Sequence, residues 1–262
     1  RRWCRCASSA GRAAAIIAAM DAPFPDRRRA AVCLTYDDAL ACHRAEVAPA
    51  LAARGLHGTF FVPAAYGDLH DQVAAWRAVA AAGHELGNHT CFHPCRARDG
   101  AAWPDPAYDL RRYSRRRIAD ELRLADRVLR LVDGRERRAF AATCGHLACG
   151  ADGAEEDFTD DLRPFTTLVR SGRAGVLPLA SPPFVAGSIG CDGRSAAEVI
   201  AELEPLLDQD GFALVLAHGV GRGTHSLFME SDEHTRLLDW LAAHRERIWG
   251  ATVSGVVERL AG

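Results

Sequence analysis

The sequence predicts a mixed α/β fold built from parallel βαβ units, and three observations predict it. Apolar runs of strand length alternate with amphipathic helical stretches along the chain. Polar clusters fall at the C-terminal ends of three of those runs, where the connecting loops of a parallel sheet or barrel gather. No internal repeat or low-complexity linker divides the chain, and 262 residues suffice for one large domain with a substantial core.

The elements follow in order. "RRWCRCASSAGRAAAIIAAM" pairs arginines with a short alanine-rich run and makes a poor secretory signal, so residues 1–25 are expected to be a disordered leader and 26–262 the domain. "AAVCLTY" (30–36) reads as a buried strand ending at Asp37-Asp38, and "CHRAEVAPALAARG" as a helix stopped by Gly55. "GTFFV" (58–62) is a second strand, and "HDQVAAWRAVAAAGH" a second helix ending at Gly83. "HELGN" is a short third strand running into "GNHTCFHP" (87–94). Residues 94–109 hold three prolines and read as a loop. "DLRRYSRRRIADELRLADRVLRLVDG" is the strongest helix, with Ile118, Leu122, Ala125, Leu129 and Val132 at helical spacing and its charges on a solvated face.

"RRAFAAT" is a candidate fourth strand, whereas residues 150–195 show no legible period. "SAAEVIAELEPLLDQDG" is a helix, "FALVLAHG" (212–219) a strand ending at His218, and "SDEHTRLLDWLAAHRERI" a helix with Ser231 as its cap. "WGATV" and "SGVVERLAG" close the chain as a strand and a helix.

Composition removes several function classes. A formal net charge of −2 gives no reason to expect nucleic acid or an acidic membrane as partner. No run of roughly 20 apolar residues could span a bilayer. All 32 basic residues are arginine, which excludes a Schiff-base lysine, a pyridoxal anchor and a P-loop lysine. Nine cysteines cannot all pair within one chain, and most are expected to be reduced, buried fillers.

The chemistry gathers at the strand ends. His89 and His93 stand at i and i+4, the spacing that puts two imidazoles on one face of a helical turn, within reach of one ion. Imidazole suits zinc, iron or cobalt, and one carboxylate would complete a three-ligand set open to water. A strand cap beside a solvated histidine, a disulfide loop, or a thiolate site using Cys91 and Cys95 are the alternatives. Asp37 and Asp38 would point to opposite faces in mid-strand, but can converge where the chain turns. One could then bind a metal while the other takes a proton; otherwise the pair caps the following helix.

"LTYDD", "GHELGNHTCFH" and "ALVLAHG" together resemble the first, second and last motifs of the polysaccharide deacetylase family, carbohydrate esterase family 4, and the likeness runs from about residue 30 to the C-terminus. The resemblance implies a distorted (β/α) barrel of about seven strands and a hydrolase that removes acetyl groups, N- or O-linked, from a carbohydrate. It implies Asp37 as general base, Asp38, His89 and His93 as ligands of a divalent metal (zinc first, with cobalt, nickel or iron tolerated), and His218 as general acid. Leu216 would line the acetyl pocket. The cysteines are then bystanders.

The third motif departs from the family. "FAATCG" keeps Phe140, Cys144 and Gly145, which the resemblance places on the substrate side, but has Ala141, Ala142 and Thr143 in place of an arginine-proline wall. No arginine there orients Asp37, and Arg137 and Arg138 are not assigned that role. The fourth motif, an aspartate and tryptophan that steady the acid histidine, has no clear counterpart; Asp192 is the nearest candidate, on what reads as a surface loop. The altered third motif supports a catalytically impaired carbohydrate-binding relative as one rival, which intact Asp37 and His218 oppose, and the donor types allow a two-histidine-one-carboxylate iron oxygenase as another.

Overall fold

A computed structural model describes residues 22–65, 67–97 and 104–261. In chain order its first strands are β1 (Ala30–Asp37), β2 (Gly58–Val62), β3 (Glu85–Asn88) and β4 (Arg138–Ala141). A short antiparallel pair, β5 (Ala148–Cys149) and β6 (Glu156–Asp157), follows. The barrel resumes with β7 (Thr166–Arg173), β8 (Val185–Gly190) and β9 (Gly211–Ala217). Seven parallel strands close in the order β1-β2-β3-β4-β7-β8-β9, with β9 paired back onto β1. Beyond the ring, β10 (Gly219–Val220) pairs with β11 (Phe228–Met229), and β12 (Ile248–Gly250) lies against the start of β1.

The ring is uneven, and that is its distortion. β1 and β9 pair from Ala30↔Gly211 to Tyr36↔Ala217. By contrast β3 meets β4 in the single pair Asn88↔Phe140, and the registers of β4–β7 and β7–β8 shift.

Side-chain parity sorts the strands into two cores. Ala31, Cys33, Phe61, Ala139, Leu168 and Phe212 share one cluster inside the barrel, floored by Val253 and Val256 from the last helix. Val32, Leu34, Phe60, Leu86 and Val215 face outward onto Leu51, Trp76, Leu129 and Leu237. Both faces are buried, so β1 reads as an apolar run without alternation. Fully burying each such large side chain contributes about 1.5–3 kcal/mol. The same parity decides what reaches the mouth: Asp37, His89, Arg170 and Leu216 all continue the inward-facing series of their strands.

The helices follow the sequence closely. Arg115–Asp133 starts at Ser114, whose side chain accepts from the Arg117 N–H, and stops at Gly134 with φ +76°. Its five expected core residues are buried. No helix among the described residues is long and apolar enough to cross a membrane.

Several expectations need correction. The helix after Asp38 opens as a π-turn, His43–Val47, before the α-helix Ala48–Ala52. Ser231 is the first residue of its helix, after Glu230, and caps nothing. The stretch 150–195 supplies two barrel strands, β7 and β8. The expected leader lies outside the described residues up to position 21; at its described end, Phe24 is buried against Trp249 with ring centroids 5.6 Å apart.

Candidate metal and acid–base site

The site sits at the C-terminal mouth of the barrel. At the end of β1 the chain turns through two left-handed residues, Asp38 (φ +78°) and Ala39 (φ +49°), and the Asp38 N–H donates to the Phe61 carbonyl at 3.1 Å. This turn lets both carboxylates face one cavity. Gly67 permits it, since a Cβ there would meet the Asp38 carbonyl at 2.8 Å.

His89 and His93 come together differently from the expected helical turn. Thr90 (φ +66°) and His93 (φ +52°) both adopt left-handed backbone, a cost that for a β-branched threonine the surroundings must hold in place. They do so with side chains. Asn88 Oδ1 accepts from the Thr90 N–H at 2.8 Å, and Thr90 Oγ1 from the His93 N–H at 3.0 Å. From the helix Arg115–Asp133, Glu121 Oε1 accepts from the Cys91 and Phe92 N–H groups at 3.2 and 3.0 Å.

The ligand atoms converge. Asp38 Oδ1 lies 3.5 Å from His89 Nε2 and 3.2 Å from His93 Nε2, and the three groups' donor atoms all fall within 4.8 Å of one another. A tetrahedral zinc with bonds of about 2.0–2.1 Å sets its ligand atoms about 3.3 Å apart. His89 Nδ1 lies 2.8 Å from the Ala141 carbonyl, so Nδ1 carries the proton and Nε2 offers its lone pair toward Asp38. Burial pushes the Asp38 carboxyl up, but the two imidazoles outweigh it and hold it well below the usual carboxylate range. The donor set fits a divalent cation.

Asp37 is buried beside this cluster, its Oδ2 3.9 Å from His89 Nε2. An arginine does reach it: Arg170 Nη2, from β7, lies 2.5 Å from Asp37 Oδ2. Arg170 is itself buried, with its guanidinium 5.0 Å from the Phe61 ring centroid. Burial raises the Asp37 pKa, yet Arg170, His89 and His218 together bring it below the ordinary value. Asp37 Oδ1 is buried without a hydrogen-bond partner among the described residues.

The histidine beyond β9 is held as firmly. Asp192 Oδ2 is 2.6 Å from His218 Nδ1, and Asp192 Oδ1 accepts from the His218 N–H at 3.0 Å. Asp192 is therefore no mere surface-loop residue. Burial lowers the His218 pKa, but Asp192 and the charges of Asp37 and Asp38 raise it above the ordinary value. His43 Nε2, 2.7 Å from the His218 carbonyl, ties this strand end to the Asp38 turn, where its Nδ1 accepts from the Leu40 N–H.

Two spaces that share Asp37, Cys144 and His218 in their walls serve these groups. A cavity of about 660 Å³ is lined by Asp37, Asp38, His89, His93 and His218, with Cys144 and His225 at its edge. A smaller one of about 130 Å³ lies behind Asp37 and His218, bounded by Leu216, Ala142, Gly145 and Arg170. Leu216, Cys144 and Gly145 thus reach the mouth. Phe140 does not: its side chain points outward from β4 into a cluster with Leu110, Ile118 and Phe158, because Ala139 and Ala141 hold the inward positions.

Sequence reasoning missed Arg170 and His225. His225 stacks on His218 at 5.3 Å between centroids, and its Nε2 is 3.9 Å from Asp38 Oδ2. It also treated the cysteines as bystanders. Cys33, Cys42, Cys91, Cys149 and Cys191 are free and buried as expected, but Cys95 and Cys144 form a disulfide that ties the His93 turn to the loop after β4.

Comparison with known proteins adds a family likeness and a fold. The family model described as polysaccharide deacetylase matches residues 25–151. No curated protein matches. The chain is similar in structure to peptidoglycan deacetylase PdaC from Bacillus subtilis, with TM-score 0.57 and 14% identity over 90% of this chain and 93% of that one. It is also similar to the Xyl-CE4 domain of a multidomain xylanase from the hindgut metagenome of Trinervitermes trinervoides (TM-score 0.57, 15% identity, 89% and 92% covered). A third similar structure is a CE4 family pseudoenzyme from Bacillus anthracis (TM-score 0.53, 15% identity, 88% and 66% covered). At these identities the structural likeness establishes the fold alone.

Proposed function

We propose that the chain is a polysaccharide deacetylase, the family whose model matches residues 25–151, and that it removes acetyl groups from a carbohydrate with a water bound to a divalent cation. Asp38, His89 and His93 would hold that cation, with zinc the first candidate and cobalt, nickel or iron compatible with the same donors. When bound, the cation supplies Lewis acidity, lowering the pKa of a ligated water toward neutrality and polarising the acetyl carbonyl.

The protein's own groups do the rest. Asp37 takes the water proton, its carboxylate kept ionised by Arg170. His218 gives a proton to the departing amine or alcohol, its charged form favoured by Asp192. An ionised base and a protonated acid must coexist at one pH, and the two pKa values are moved in the directions that allow it. Leu216, Ala142 and Gly145 bound a small space beside Asp37 and His218 where an acetyl methyl would sit.

The observation that carries this reading is the Asp38–His89–His93 donor cluster set beside an arginine-held aspartate and an aspartate-held histidine. Against the impaired relative, which the altered third motif favours, stand two contacts: Arg170 pairs with Asp37, and Asp192 with His218. The test is an acetate-release screen over chitin, peptidoglycan and acetyl-xylan fragments with defined metals. Release that stops on chelation supports the reading; no release from any member favours the impaired relative.

A further inference from the structure

His93 faces two ligand sets. Its Nε2 points at Asp38, and its Nδ1 lies 3.7 Å from Cys95 Sγ. His93, Cys95 and Cys144 bring their donor atoms within 4.8 Å of one another, as closely as the Asp38–His89–His93 set. With the disulfide closed, neither sulfur is a thiolate, and thiolate is the form that binds metal.

We infer that Cys95, Cys144 and His93 Nδ1 form a latent thiolate metal site, closed by the disulfide and opened by its reduction. The step balances with a dithiol as reductant: the Sγ–Sγ bond breaks, two electrons reduce the cysteine sulfurs, and the dithiol closes to its own disulfide, its two protons passing to the cysteines. A thiophilic divalent cation then displaces those two protons. Cys144 is exposed and lines the large cavity, so a small reductant can reach it. Two thiolates on a tetrahedral zinc stand about 3.8 Å apart. Cys144, exposed on the three-residue turn Thr143–Gly145, is the partner that would move away from the buried Cys95.

The chemistry of one imidazole makes the two sites compete. A neutral imidazole has a single lone pair, so ligation through Nδ1 leaves the proton on Nε2 and withdraws His93 from Asp38 and His89. Reduction would thus move the cation from a mixed nitrogen–oxygen set to a sulfur-containing one. The competition rests on the proposed first site; the thiolate site does not.

The test is zinc-edge X-ray absorption on the full chain carrying C4S/C6S, which removes the two cysteines outside the described residues. One equivalent of zinc is added before and after treatment with a water-soluble phosphine that is then removed without air. We expect only nitrogen and oxygen neighbours in the oxidised protein, two sulfur neighbours at about 2.3 Å after reduction, and none in C95S/C144S. A nitrogen–oxygen shell in the reduced protein overturns the inference, as does a sulfur shell that persists in C95S/C144S. Loss of the far-ultraviolet dichroism on reduction overturns it too, since the ligand set exists only in the folded barrel. Oxidised protein that binds no zinc would count against the deacetylase site alone, so the two readings fail separately.

Discussion

Arg170 and Asp37 meet at 2.5 Å although they lie on strands that are not neighbours in the barrel. The pair is buried at both ends, so removing one partner leaves the other's charge uncompensated. In Arg170→Gln the Asp37 pKa should rise, because burial alone pushes it up. The acid limb of the pH–kcat/KM profile should then move to higher pH, with kcat/KM near neutrality falling by about 10²–10³-fold. Arg170→Lys should restore part of it. An unmoved acid limb in a folded Arg170→Gln protein would show that the guanidinium does not tune the base.

The acid side responds in the opposite direction. Asp192 holds the His218 ring and favours its charged form against the effect of burial. Asp192→Asn keeps a hydrogen-bonding group but removes the charge, so the His218 pKa should fall. The protonated acid would be lost at lower pH, shifting the basic limb downward and reducing kcat above it by about 10²-fold. Titration of the His218 ring by NMR in both proteins measures the same shift without turnover.

How much of this was legible in the sequence depends on the strand. Asp37, His89, Leu216 and His218 stand at or just beyond the ends of apolar runs, so their arrival at one mouth follows from parallel strands. Arg170 was hidden because β7 reads "TTLVRSGR", a polar run whose buried arginine imitates a loop, and β8 reads "VAGSIG" with two glycines. Phe140 was misplaced for want of counting parity from Ala139, which faces inward and sends its neighbour out. The Cys95–Cys144 bond had no signal beyond residue type, since their pairing depends on where two loops meet.

Cation binding should follow the three-ligand set. Asp38→Ala, His89→Ala and His93→Ala should each lower zinc retained after dialysis from one equivalent toward none. Metal analysis beside a circular dichroism spectrum checks it. Dialysis against a chelator should abolish acetate release, and zinc or cobalt should restore it. Full zinc retention in His89→Ala would sink the assignment, because His89 Nε2 is the donor whose tautomer the Ala141 carbonyl fixes.

Buried neutral histidines make the fold acid-sensitive before its carboxylates titrate. His43 and His234 are nearly inaccessible, and burial pushes both pKa values down to about 4, against 6.5 for an ordinary histidine. His43 Nδ1 accepts from the Leu40 N–H, which requires the neutral ring, and His234 Nε2 lies 2.8 Å from Tyr36 Oη. As pH falls below 6.5 the unfolded chain takes up these protons and the native barrel does not. The stability they contribute is therefore whole above pH 6.5 and is lost progressively toward pH 4, at up to about 1.4 kcal/mol per pH unit for each histidine. Glu121 and Asp126, whose pKa values burial raises, act with the opposite sign, so the total slope is a sum and a difference measurement is needed. In His234→Gln, whose amide can still hydrogen-bond Tyr36, Tm should fall less steeply between pH 6.5 and 4 than in the unaltered protein. Equal slopes would mean that His234 is not the neutral buried ring its surroundings require.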